Sequence, residues 1–284
     1  MKKSKFIILI ILLLSITSVF LIIYDGFNSA PSRISINYRY IKDDKINKDL
    51  NNLQIAFISD IYFDEFFNEK RLENLTKEIN DINPDIVIFL GDLVSDKSSD
   101  LSEESIKILK KNLKKLTPKY GKFAVLGEAD YSNEERLKNT KDILFNSDFQ
   151  TLSNEMLKIT KDSNQYFQLV GIDSPLNAKD DVDSAYKNVN KDIFTLTIMH
   201  TPDTVKKLPQ NKTDLAVAGH SRGGQIKIPL LGQIYNQPLA EVYYSGLYRV
   251  GEINLFVTNG IGTSNKDVRI FAPAEIVVYT LQSK

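Results

Sequence analysis

The chain holds only two histidines, His200 and His220, and each stands just past a short apolar run, residues 194–199 and 215–218. Imidazole nitrogens bind transition metals and move protons near neutral pH. Two carboxylates occupy the same kind of place: Asp60 follows the run 55–59, and Asp92 follows 86–91. An apolar run that ends in Gly219-His220 and continues Ser221-Arg222-Gly223-Gly224-Gln225 reads as a strand delivering a side chain into a site. Open α/β sheets gather ligands and metals at the carboxyl ends of their strands. Strand logic alone therefore brings four polar residues together, as metal ligands or, on the plainer reading, as hydrogen-bonded structural groups. Gly223 and Gly224 fit a tight turn beside the site better than a phosphate cradle, because no helix clearly begins after them.

The elements that must position these residues follow a βα rhythm from residue 53 onward. Strands are expected over 54–59, 85–90 and 122–126, with helices over 69–80, 102–115 and 133–145. In the second of these helices, Asp100 and Glu103 read as a capping box, and Ile106, Leu109, Leu113 and Leu116 recur at helical spacing. Further strands are expected over 156–160, 166–172, 194–199, 215–218, 247–251, 254–258 and 275–282, with a helix over 181–189 and a short one after Pro202. Crossover helices in both halves, and strand pairs near the end, predict an α/β fold of two stacked mixed β-sheets flanked by helices.

Ahead of this domain, residues 1–5 carry Lys2, Lys3 and Lys5, and residues 6–24 are free of charge and dominated by Ile and Leu. As a helix those 19 residues would span roughly 28 Å, close to the hydrocarbon thickness of a bilayer. A cleaved signal peptide has a shorter apolar region and a small-residue cleavage site, which only Asn28-Ser29-Ala30 resembles here. The expectation is an uncleaved, single-pass anchor in the cell membrane, with a basic cytoplasmic tail (1–5), a transmembrane helix (6–24) and the domain outside the cytoplasm. Residues 25–52 read as a stalk with a first strand, in which Ile34, Ile36, Tyr38 and Tyr40 alternate with polar residues. The folded domain is expected over 53–284. The 36 basic and 36 acidic residues cancel, which removes any bulk electrostatic case for nucleic acid. The absence of cysteine excludes thiolate metal sites, a cysteine nucleophile and disulfides.

Five blocks, Ile58-Ser59-Asp60, Leu90-Gly91-Asp92, Leu126-Gly127-Glu128-Ala129-Asp130, Met199-His200-Thr201-Pro202-Asp203 and Ala218-Gly219-His220-Ser221-Arg222-Gly223-Gly224-Gln225, resemble in order and spacing those of the calcineurin-like metallophosphoesterases. The later stretch Asn259-Gly260-Ile261-Gly262-Thr263-Ser264, with Val268-Arg269 and Ala274-Glu275, resembles the membrane-anchored bacterial branch. The resemblance implies a four-layer α/β/β/α sandwich, phosphoester hydrolysis, and two metals bridged by the second-block Asp. It also exposes departures. Tyr62 stands where the first block has His, Glu128 where the third has Asn, Ala129 where the next His belongs, and Arg222 where the last His belongs. By resemblance the first metal would take Asp60, position 62, Asp92 and position 222; the second would take Asp92, position 128, His200 and His220. One site has lost both nitrogen ligands, while the other keeps three ligands and gains a carboxylate.

A guanidinium cannot bind a cation, so Arg222 is expected near Asp60 and Asp92, neutralising buried carboxylates where a metal would stand, or gripping phosphoryl oxygens. Tyr62 reads as a phenol packed in a partly apolar cleft, or as a phenolate ligand. Glu128 either completes a two-His, two-carboxylate shell suited to Zn, Mn or Fe, or is a surface carboxylate at a strand end. Ala129 can neither stabilise nor protonate a leaving group, and Asp130, Glu128 or a tyrosine would have to do so. The expectation is at most one divalent transition metal, or none. The function expected is a membrane-tethered domain that binds an anionic or phosphorylated ligand, or a protein partner, with weak or absent phosphoesterase activity. The alternative is an active one-metal phosphoesterase working on a phosphate ester or lipid-linked pyrophosphate at the membrane surface.

Overall fold

The computed structural model describes residues 2–97 and 101–284. A long apolar helix, α1 (Lys2–Asn28), leads into β1 (Ile34–Asp43), β2 (Gln54–Ile58), α2 (Glu69–Ile82), β3 (Ile86–Phe89), α3 (Glu103–Lys114), β4 (Lys122–Ala124), α4 (Glu134–Asn146) and β5 (Phe149–Thr151). The second half runs β6 (Glu155–Thr160), β7 (Tyr166–Gly171), α5 (Val182–Tyr186), β8 (Thr195–Met199), β9 (Leu215–Ala218), β10 (Lys227–Ile228), β11 (Gly232–Gln233), β12 (Gly246–Val250), β13 (Ile253–Val257) and β14 (Ala274–Ser283). Two six-stranded sheets result, ordered β1-β14-β2-β3-β4-β5 and β12-β13-β9-β8-β7-β6. Both are mixed: β14 runs antiparallel to β2 in the first, and β12 and β6 run antiparallel to their neighbours in the second.

Side-chain alternation stacks these sheets. In β2, Ile55 and Phe57 point into the core between the sheets, where they meet Leu196, Ile198, Val217 and Phe256, while Ala56 and Ile58 point outward onto Leu72, Leu75, Leu109 and Ile143 of α2, α3 and α4. In β9, Leu215 and Val217 face the same central core, and Ala216 and Ala218 pack outward with Ala185 and Tyr186 of α5. Strands buried on both faces must be apolar throughout, which is why the central ones read as unbroken hydrophobic runs. The layers are helix, sheet, sheet, helix, as expected.

Three local differences matter. The strand expected near 34–40 extends to Asp43 and pairs in parallel with β14 over its full length, so residues ahead of Leu53 belong to the first sheet. The helix expected over 181–189 shortens to Val182–Tyr186. Ser102 caps α3, its hydroxyl accepting from the Ser105 amide, while Asp100 lies outside the described residues.

Candidate metal centre

The parallel register of β2 with β3, and of β8 with β9, aligns four strand ends at one edge. Beyond those ends the backbone turns sharply. Asp60, Tyr62, Asp92, His220 and Arg222 all have φ between 49° and 69°, a left-handed conformation that only glycine adopts freely and that costs non-glycine residues on the order of 1–3 kcal/mol each. Backbone hydrogen bonds hold the turns: Asp60 donates to the Gly91 carbonyl, Tyr62 to the Asp92 carbonyl, and Gly219 to the His200 carbonyl. Glycine is required at 127, because a Cβ there would lie 2.2 Å from Asp92 Oδ1.

The structure gathers Asp92, Glu128, His200 and His220, each offering one ligand atom, all within 4.8 Å of one another. His200 Nε2 lies 2.9 Å from Glu128 Oε2 and 3.2 Å from Asp92 Oδ2. His220 Nδ1 lies 3.0 Å from Glu128 Oε1 and 3.2 Å from His200 Nε2. The remaining nitrogens settle the tautomers. His200 Nδ1 donates to the Leu90 carbonyl at 2.6 Å, and His220 Nε2 donates to the Pro238 carbonyl at 2.8 Å. In the neutral rings the inward nitrogens therefore carry lone pairs, and a carbonyl behind each imidazole is the usual support of a metal-binding histidine. Two lone pairs and two carboxylates facing one another repel unless a cation lies among them. Glu128 Oε2 is buried with the inward His200 nitrogen beside it, as that arrangement requires. These residues fit a divalent transition metal.

Electrostatics agree. Burial opposes charge on His200, but the Asp92 and Glu128 carboxylates outweigh it and hold the imidazole well above its ordinary value. Burial likewise opposes ionisation of Glu128, and the two histidines outweigh it, keeping the carboxyl well below the usual range. In the metal-free protein a proton answers the demand for positive charge. Glu128 is the most open of the four, its side chain 29% exposed, whereas Asp92, His200 and His220 are buried.

The neighbouring position is built differently. The Tyr62 hydroxyl donates to Asp92 Oδ2 at 2.6 Å and accepts from Arg222 Nη1 at 2.5 Å. The Arg222 guanidinium stacks over the Tyr62 ring at 4.9 Å. Burial pushes the Tyr62 phenol well up, with Arg222 only partly compensating, so in the metal-free protein it is a neutral phenol. Arg222 thus reaches Asp92 through Tyr62, and its charge acts on Asp60 and Asp92 through space. Asp60 stands apart from the four-residue group. Its Oδ2 accepts the His220 amide at 3.0 Å, its Oδ1 is buried without a partner, and burial raises its carboxyl.

Ala129 and Asp130 line the site from below. The Ala129 amide donates to Asp92 Oδ1 at 2.9 Å. Asp130 is fully buried and accepts the amides of Asp92, Leu93 and Gly127, which makes it a brace for two ligand loops. Desolvation, followed by Asp92, pushes its carboxyl up to about 7. Residue types do not announce the carbonyl supports at Leu90 and Pro238, since any residue supplies a carbonyl. The buried Arg269 had a signal in the closing motif, and its guanidinium donates to the carbonyls of Asn259, Gly260, Gly262 and Ala272, fixing the loop that covers Asp60.

The family model for calcineurin-like phosphoesterases matches residues 53–222. The uncharacterized metallophosphoesterase YkuE of Bacillus subtilis (strain 168) is 24% identical over 253 residues, covering 89% of this chain and 87% of YkuE. A "transmembrane protein with metallophosphoesterase domain" from Danio rerio is 26% identical over 288 residues, covering 96% of this chain and 62% of that protein. The UDP-2,3-diacylglucosamine pyrophosphatase LpxG of Chlamydia muridarum is 23% identical over 285 residues, covering 81% of this chain and 83% of LpxG. The matched span runs from Leu53, ahead of Asp60, through the first four blocks and into the fifth as far as Arg222, and this chain belongs to the calcineurin-like phosphoesterase family.

Proposed function

We propose that this chain is a membrane-tethered, single-metal member of the family that binds a phosphorylated ligand and hydrolyses it slowly or not at all. The observation that carries the reading is the Tyr62 hydroxyl on Asp92 Oδ2, with Arg222 stacked above it. The carboxylate that by the resemblance would bridge two metals gives one of its oxygens to a neutral phenol. A fixed guanidinium charge stands close behind it, repelling a second cation. When bound to Asp92, Glu128, His200 and His220, a Zn, Mn or Fe ion supplies Lewis acidity toward a phosphoryl oxygen. Arg222 supplies the second positive charge that a phosphate needs, and Asp60 holds the His220 loop in place through its amide.

Turnover needs a proton for the leaving group, and the residues present are poor donors. Ala129 is a methyl group, and Asp130 is fully buried with its oxygens occupied by backbone amides. Glu128 sits among the ligands. A ligand of lipid-linked character is suggested by the apolar helix α1, whose most apolar 18-residue window has a mean hydropathy of 3.2, and by the likeness to LpxG, named for a diacylglucosamine substrate. The test is metal content per chain of the full-length protein in detergent, measured beside hydrolysis of aryl phosphates. We expect no more than one metal per chain and very low turnover. The combined change Tyr62→His, Glu128→Asn, Ala129→His and Arg222→His should raise both. Two metals per wild-type chain, or vigorous turnover abolished by His220→Ala, would show instead an active enzyme.

A further inference from the structure

The segment that follows His220 and Arg222 in the chain carries an exposed apolar tip. β10 and β11 form a short antiparallel hairpin, and at its turn Leu230 is fully exposed and Leu231 is 81% exposed, beside exposed Ile228, Pro229, Ile234 and Tyr235. Contiguous apolar side chains in water mark a contact surface. The hairpin is tied to the place where α1 meets the domain. Ile226 bridges to Ile270, and Lys227 donates to the Ile270 carbonyl. The adjoining Arg269 amide donates to the Gly26 carbonyl of α1, and Ile270 packs on Gly26 so closely that a Cβ there would lie 2.6 Å away. Two further exposed aromatics flank this junction, Phe27 and Phe271, of a kind that settles at membrane–water boundaries.

Resting on the reading of α1 as a membrane span, we infer that this hairpin seats the tip Pro229-Leu230-Leu231 in the interface of the same bilayer, holding the metal centre against the head-group layer. Continuity selects the occupant, since the anchor and the hairpin meet on the residue pair Arg269-Ile270. Charge permits it. No acidic residue occurs from 215 to 240, and Lys227 and exposed Lys266 suit anionic head groups. The connection to the site is short and firm. His220 Nε2 is held by Pro238 and the Ser221 hydroxyl by the Tyr244 carbonyl, both in the segment that follows the hairpin. Gly224 packs on Gln233 of β11, where a Cβ would come within 2.2 Å. A phosphate carried by a membrane lipid is therefore the class of ligand this placement serves.

The chain contains no tryptophan, so Leu231→Trp, Phe20→Trp and Asn164→Trp each give a single reporter in the full-length protein. Position 20 lies in α1, and exposed Asn164 lies in the β6–β7 turn, at the opposite end of the second sheet from the metal ligands. Each is reconstituted in vesicles of phosphatidylcholine and phosphatidylglycerol whose acyl chains are brominated near the head group or near the tail. The expected result is quenching of position 231 by shallow bromines, quenching of position 20, and none at 164. Quenching at 20 without quenching at 231 overturns the hairpin inference and leaves the anchor reading standing. Equal quenching at 231 and 164 also overturns it, as non-specific adsorption. No quenching at 20 sinks the anchor reading and the inference with it.

Discussion

Tyr62 shows how one side chain redirects a site. Its hydroxyl joins Asp92 to Arg222, both buried, so Tyr62→Phe leaves a guanidinium without its acceptor in a dry place. We expect a loss of about 1–3 kcal/mol in stability by urea unfolding, with the metal content of the four-residue group unchanged. The buried acids and His200 set the pH behaviour of the metal-free protein. Asp130, raised from 3.8 to about 7, binds more protons folded than unfolded across that window. His200, raised well above 6.5, does so above that value. A group with a raised folded pKa contributes stability at low pH and loses it as pH rises through the folded value. Glu128, lowered well below 4.5, adds stability as pH rises only beneath 4.5. The melting temperature of the metal-free protein should therefore fall between pH 6 and 8. A bound metal displaces the His200 proton, so stabilisation by added zinc should grow over the same range. A flat metal-free profile would refute this account of the charges.

At the scale of elements, the strand ends place the chemistry and the loops beyond them hold it. Gly127→Ala would press a methyl onto Asp92 Oδ1 and His200 Cε1 at 2.2 and 2.8 Å. Metal affinity should fall by on the order of 10- to 100-fold, as for other changes behind a ligand, and titration with a chelator measures it. Arg269→Ala removes four hydrogen bonds to loop carbonyls and should cost roughly 3 kcal/mol. The strand ends were legible in the sequence because a run such as 215–218, buried on both faces, must be wholly apolar and must stop where a polar ligand follows. Other elements were not. β5 has three residues and the strands of the hairpin two each, too few for a period to register. The supports at Leu90 and Pro238 act through carbonyls that every residue possesses. The Tyr62–Arg222 contact needed three dimensions, because the sequence placed Arg222 against the carboxylates and not on the phenol between them.

At the scale of the whole molecule, the least legible feature is where the folded domain starts. The alternation of Ile34, Ile36, Tyr38 and Tyr40 identified a strand, but a ten-residue strand after an anchor reads equally well as part of a stalk. The structure pairs β1 with β14 from Ile34 to Asp43, and Ile41, Ile46 and Leu50 are buried in the core between the sheets. Burying each such side chain contributes about 1.5–3 kcal/mol, so the three together approach the 5–15 kcal/mol that typically stabilises a whole domain. Removing β1 would also bare the length of β14, a long apolar strand open to pairing with another chain. A chain beginning at residue 29 should therefore be soluble and unfold cooperatively in urea. One beginning at residue 53, where the family match starts, should aggregate or unfold at markedly lower urea, even though it retains every metal ligand. Equal urea midpoints for the two chains would mean that β1 merely rests against the sheet and that the domain closes without it.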